Sequence, residues 1–135
     1  MKCISDTGFL VALVEEKDRF HRWALEIAQQ VTWPVLTCEP VLAEAAFLLR
    51  SSNTILGMLR DHVVEVAFDC ASQVEPLHDL GVRYSDRDPD IADLCLIRMS
   101  ELYPRYSIIT VDEADFRVYR RNKREAIPLI CPPNC

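Results

Sequence analysis

Asp6, Glu44, Asp93 and Asp112 are carboxylates set against the grain of their surroundings. Asp6 directly follows the first apolar run, Asp112 follows Ser107-Ile108-Ile109-Thr110-Val111, and Glu44 and Asp93 interrupt apolar helical stretches. A carboxylate in such a segment is costly to bury unless it is paired or binds a metal. Two carboxylates about 4 Å apart repel by roughly 4 kcal/mol at an effective dielectric of about 20. Four that converge must therefore take up protons or admit cations. A hard divalent cation such as Mg²⁺ or Mn²⁺ prefers oxygen ligands, lowers the pKa of a bound water and stabilises charge growing on a phosphodiester under in-line attack. Thr7 and Thr110 stand beside or near proposed ligands, where a hydroxyl can orient a water or an acidic side chain. Singly, each acid has a plainer reading: Asp6 and Asp112 as helix caps, Asp93 as a first-turn dipole partner worth about 0.3–1 kcal/mol. Glu44, between Ala43 and Ala45, needs at least a groove edge.

The elements that would position these acids alternate. Lys2–Ser5 reads as a strand, Thr7–Val14 as a helix, and Phe20–Gln30 as a helix whose Trp23, Ile27 and Val31 recur every fourth residue. Pro34–Thr37 is a buried strand, and Pro40 opens a helix through Arg50. Further helices are predicted at Thr54–Arg60, Ala71–Leu80 with Gly81 as terminator, and Asp90–Leu102, with a strand at Val63–Phe68. A Ser107–Val111 strand, a basic helix and a last strand near Ile127–Ile130 complete the chain. Strands separated by helices imply an α/β three-layer sandwich around a mostly parallel sheet. In such sheets the site lies off the carboxyl ends of the strands, where Asp6 and Asp112 fall. Asp90 and Asp93, three apart, face the same groove.

With 135 residues and half of them hydrophobic, the chain is expected to form one domain, 1–135, with 131–135 as a flexible tail. No run of 18 apolar residues occurs, and Asp6 comes before a signal-peptide core could form, so the expectation is a cytoplasmic protein away from membranes. Cys3, Cys38, Cys70 and Cys95 read as small buried hydrophobes, and Cys131 and Cys135 as tail residues with at most a weak metal or redox role. His21, His62 and His78 lack ligand spacing. A net charge of −6 argues against bulk electrostatic capture of nucleic acid. One local exception is Arg117, Arg120, Arg121, Lys123 and Arg124, which form either a solvated charged face or a rim that contacts nucleic-acid phosphates. Only Gly8, Gly57 and Gly81 are present, so there is no P-loop, no GxGxxG and no GxSxG. The Asp-x-Asp of a phosphatase is missing at Asp6, and no convincing lysine follows a late strand as a receiver domain requires.

The stretches Ile4-Ser5-Asp6-Thr7-Gly8-Phe9-Leu10, Glu44 in the helix after the second strand, Asp90-Ile91-Ala92-Asp93-Leu94-Cys95-Leu96 and Ile109-Thr110-Val111-Asp112-Glu113-Ala114-Asp115-Phe116 resemble the successive motifs of PIN domains. More narrowly they are similar to VapC-type toxin ribonucleases. The resemblance implies a parallel sheet of about five strands and a Mg²⁺- or Mn²⁺-dependent endoribonuclease that acts on RNA. It further implies frequent homodimers and inhibition by a cognate antitoxin. It assigns Asp6, Glu44, Asp93 and Asp112 to the acidic quartet, with Asp90 and Asp115 as auxiliary acids. Gly8 departs from the small polar residue common at its place, and Cys95-Leu96-Ile97-Arg98-Met99 replaces an alanine-rich run. The alternative is an inactive PIN-like module that binds RNA or protein through the same cleft.

Overall fold

Five short strands carry the frame: β1 (Cys3–Ser5), β2 (Val35–Thr37), β3 (Val64–Val66), β4 (Ser107–Ile109) and, after a small hairpin, β7 (Leu129–Ile130). The computed structural model describes residues 1–133, so Asn134 and Cys135 of the expected tail, and any pairing of Cys131 with Cys135, lie outside the described residues. β1 and β2 are buried throughout, the signature of central parallel strands covered on both faces. The sheet order is β3-β2-β1-β4-β7, every pairing parallel, with Ile4 opposite Leu36 on one side and Ile108 on the other.

Between the strands run α1 (Thr7–Val14), α2 (His21–Ala28), α3 (Glu39–Leu49), α4 (Ser52–Arg60), α5 (Val74–Arg83), α6 (Ile91–Leu102) and α7 (Glu113–Val118). The right-handed rule for parallel crossovers sends α1–α4 to one face and α5–α7 to the other. The packing agrees: α1 touches α2 and α3, α3 touches α4, and α5 lies against α6. The core between the layers is built on Phe9, Leu10, Val41, Leu96, Ile97, Met99, Ile108 and Ile109, all fully buried. Each such side chain contributes about 1.5–3 kcal/mol. The α/β sandwich with a five-stranded parallel sheet expected from the sequence is the fold observed.

Three local expectations are corrected. Gly81 does not end α5, which continues to Arg83 because buried Leu77 and Leu80 hold it on α6 and the Tyr84 amide still reaches the Leu80 carbonyl. The segment before it begins as a 3-10 turn, Cys70–Gln73, with the α-helix starting only at Val74 and Pro76 in its first turn. Apart from Arg117 in α7, the basic stretch is not helical. After α7 the chain forms an antiparallel hairpin, β5 (Arg120–Arg121) with β6 (Glu125–Ala126), turned by Asn122 and Lys123 at φ 50° and 70°. Left-handed backbone at two successive residues is incompatible with a right-handed helix and well suited to a tight turn.

Candidate active site

Chain order makes the cleft. From β1 the chain moves outward through β2 to β3, then crosses back to β4 on the other side of β1, so β1 and β4 flank a reversal of strand order. Ligands of open parallel sheets bind at such a reversal, off the carboxyl ends of the strands. Asp6 is the residue after β1, and Thr110 and Asp112 follow β4. The ladder extends to Asp6 itself, whose amide donates to the Ile109 carbonyl at 3.0 Å.

Asp6 is the buried acid of the group, 9% exposed. Its Oδ1 accepts from the Thr7 amide at 2.7 Å, the capping role open to it at the start of α1. Its Oδ2 accepts from the Thr110 hydroxyl at 2.7 Å, and the Thr110 oxygen in turn accepts from the Asp112 amide at 2.9 Å. One threonine thus ties the ends of β1 and β4 together. Burial raises the Asp6 pKa, the Thr110 and Thr7 hydrogen bonds counter it, and the Asp90 charge adds to the rise.

Asp93 projects from the first turn of α6 and is half-buried. Desolvation, followed by the charges of Asp90, Asp6, Asp112 and Asp115, pushes its carboxyl up to about 7. Asp112 is raised by burial and then by the neighbouring Asp115 carboxyl, with Asp6 contributing. Glu44 is raised by desolvation and then by Asp90 and Asp6, while the Thr7 hydroxyl favours its ionised form. The quartet therefore repels across one shared space. Among the described residues no three His, Cys, Asp or Glu side chains are already drawn into a ligand cage, so the acids act on one another through charge without gripping a common point.

The premise that all four acids interrupt buried segments is corrected. Glu44 and Asp112 are exposed, Glu44 because it shares the outer face of α3 with Phe47, 80% exposed, and Leu48, and Asp112 because it lies on the segment between β4 and α7. Apolar neighbours at Glu44 did not mean an interior.

The auxiliary acids occupy distinct places. Asp90 caps α6, accepting from the Asp93 amide at 2.8 Å, and its charge acts on Asp6, Glu44 and Asp93 alike. That makes it the common electrostatic neighbour of the cluster, a larger part than sequence position suggested. Asp115 lies 4.0 Å from Arg87 and beside Asp112. The buried Thr7 hydroxyl lies beside the Glu44 carboxylate and has no other hydrogen-bond partner among the described residues.

Gly8, the departure noted in the sequence, packs against Val111. A methyl group there would run into the Val111 side chain, so glycine lets the first turn of α1 close on the segment that carries Asp112. The cysteines depart from expectation in another way. Cys3, Cys38 and Cys95 are buried as expected, but Cys95 lies 4.0 Å from Cys70 and beside Cys38, so three thiols scattered in sequence meet where α3 and α6 touch.

The basic residues do not act as one rim. Arg121 is 6% exposed, its guanidinium donating to the Ser100 and Pro104 carbonyls and to Glu125, so the expectation that it contacts RNA is corrected. Arg117 is held by Glu113 and Arg120 by the Arg117 and Tyr119 carbonyls, whereas Lys123 and Arg124 are exposed at the hairpin turn. Arg19 and Phe20, which no local sequence pattern singles out, reach the same cleft as Asp112 from the α1–α2 loop.

No protein-family model matches the chain, and no curated protein sequence matches it significantly. Among solved structures it is similar to Mycobacterium tuberculosis VapC20, a sarcin–ricin loop cleaving toxin, with a TM-score of 0.70 over 79% of this chain and 87% of that one. The two share 21% sequence identity, so the likeness is one of fold. The PIN-like fold expected from the motifs is thereby borne out.

Proposed function

We propose that this chain is a divalent-metal-dependent endoribonuclease, the toxin of a type II toxin–antitoxin pair. One observation carries the reading. Carboxylates delivered from β1, α6 and β4 meet at the strand-order reversal and raise one another's proton affinity, Asp93 to about 7. Such a cluster is uncomfortable empty-handed at neutral pH, and perturbed acids in a cleft mark functional sites.

The donor set fits Mg²⁺ or Mn²⁺: it is all oxygen, from Asp6, Asp93, Asp112 and Glu44, with the buried Thr7 hydroxyl beside Glu44. A bound ion of this kind supplies charge neutralisation and Lewis-acid activation of the attacking water. Asp6 contributes a fixed oxygen because both of its own are already oriented by hydrogen bonds. Asp93 changes protonation near neutrality, so it can hold or release a proton at its carboxyl as the site fills. Asp112 is placed through its amide on Thr110, and Glu44 completes the set from the open edge.

VapC20 is a sarcin–ricin loop cleaving toxin, and for this chain RNA is proposed as the substrate class. An antitoxin and a second copy of the chain are the proposed partners. The apolar surface of Phe47, Leu48 and Leu56 on α3 and α4 supports such contacts, being more than a solvated monomer needs. No helix among the described residues is long and apolar enough to cross a membrane, and a cytoplasmic location is proposed. The test is cleavage of single-stranded and structured RNA by the purified chain with Mg²⁺, Mn²⁺ or chelator, beside Asp6→Asn and Asp93→Asn. Metal-dependent cleavage lost in both variants supports the reading; RNA binding without cleavage by any form selects the inactive module instead.

A further inference from the structure

We propose that Arg19 and Phe20 form a nucleotide clamp beside the acidic centre, with the Arg19 guanidinium donating to a backbone phosphate of RNA next to the bond that is cut. The inference rests on the ribonuclease reading and adds a substrate subsite to it. A cleft of about 500 Å³ is lined on one side by Arg19 and Phe20, on another by Val111, Asp112, Glu113 and Ala114, and at its end by Pro132 and Pro133. Asp112 is one of the proposed quartet, so whatever fills this cleft touches the edge of the reacting region.

The arginine is held rather than loose. Its guanidinium carbon lies 4.6 Å from the Phe20 ring centroid, over the face of the ring. Phe20 is fixed in turn: its amide donates to Asp18 Oδ1 at 2.8 Å, and its ring meets Trp23 edge-to-face at 6.4 Å. Trp23 meets Phe9 the same way at 6.2 Å, and Phe9 is fully buried. An exposed cation is thus anchored to the core through three rings in edge-to-face contact.

Its hydrogen-bonding capacity is unspent. Arg19 makes no hydrogen bond or ion pair among the described residues, whereas Arg87, Arg117, Arg120 and Arg121 are all engaged by protein groups. In a chain of net charge −6 whose cleft is acidic, a polyanion needs a local cation at the entrance to approach at all. A planar guanidinium with free N–H groups, pre-oriented on an aromatic face, suits a phosphate. Arg planes and aromatic rings are also what unstacked RNA bases rest on.

The experiment pairs steady-state cleavage of a single-stranded oligoribonucleotide with its equilibrium binding in chelator, for wild type, Arg19→Ala, Arg19→Lys and Phe20→Leu. Arg19→Ala should raise KM and Kd about tenfold, with kcat within about twofold. Its plot of log Kd against log salt should flatten by about 0.7, one phosphate contact on a single strand. Arg19→Lys should recover part of the affinity and the full salt slope, and Phe20→Leu should weaken binding about threefold with the slope kept. Unchanged KM, Kd and slope in Arg19→Ala, with wild type cleaving RNA, would overturn the clamp and leave the nuclease standing. A wild type that cleaves nothing sinks the nuclease reading, and the binding arm then still decides whether Arg19 holds RNA.

Discussion

Replacing Asp93 with asparagine should make the metal-free protein more stable at pH 8 while removing its activity. The folded-state carboxyl is raised from 3.8 to about 7 by desolvation and by Asp90, Asp6, Asp112 and Asp115. A carboxyl raised on folding binds more protons in the native than in the unfolded state between these two values. Native stability is therefore fully present below about pH 4, falls as pH rises toward 7 and stays low above it. Taken at face value the rise corresponds to about 4 kcal/mol. Asp93 is only half-buried, so solvent screening reduces this, and its favourable place in the first turn of α6 offsets about 0.3–1 kcal/mol more. The net gain for Asp93→Asn at pH 8 should be about 1–2 kcal/mol, a rise in Tm of about 3–6 °C for a chain of this length. At pH 5 the native Asp93 is protonated but the unfolded one is already ionised, so roughly a third of the gap, about 1–2 °C, should remain, and it should close only below about pH 4. Differential scanning fluorimetry in chelator at both pH values, followed by urea melts, measures this. Adding millimolar Mn²⁺ at pH 8 should reverse the order, because only the wild type gains binding free energy. A variant that is less stable than wild type by the same margin at both pH values would refute the like-charge argument.

Three further outcomes follow from the geometry. Thr110→Val removes the hydroxyl bridging Asp6 Oδ2 and the Asp112 amide; stability should drop by about 1–3 kcal/mol and cleavage by well over tenfold, read by urea melts and initial rates. Gly8→Ala drives a methyl into Val111 and should cost about 1–3 kcal/mol, with Val111→Ala in the same chain recovering much of it; a double-mutant cycle that shows additivity would contradict the contact. Arg121→Ala should destabilise the fold by about 3 kcal/mol through its buried carbonyl and Glu125 bonds, whereas Arg124→Ala should leave the Tm unchanged.

What could be seen in the sequence was the order of the acids and the alternation that delivers them. Asp6 and Asp112 each follow an apolar run, and parallel strands in an α/β sheet oblige such residues to emerge at one edge. The Thr7–Val14 helix was legible because Asp6 caps it and Pro and Gly are kept out of its later turns. The hairpin after α7 was not, since charge composition says nothing of the left-handed turn at Asn122 and Lys123. Burial was misjudged at Glu44 for a related reason: apolar periodicity marks a face without saying whether anything in the same chain covers it. The reach of Asp90 to three other acids, the meeting of Cys38, Cys70 and Cys95, and the stacked Arg19 depend on contacts between elements far apart in sequence, which no local pattern encodes.

The central claim is that the acids share one space that a divalent cation fills. Calorimetric titration of the wild type with Mn²⁺ at pH 7, in buffers of different ionisation enthalpy, tests it most directly. With Asp93 near half-protonation at that pH, binding should release about half a proton per ion, and this release should fall to almost none at pH 9 and be lost in Asp93→Asn. No binding, or binding that releases no protons at pH 7 and survives Asp93→Asn, would contradict the account.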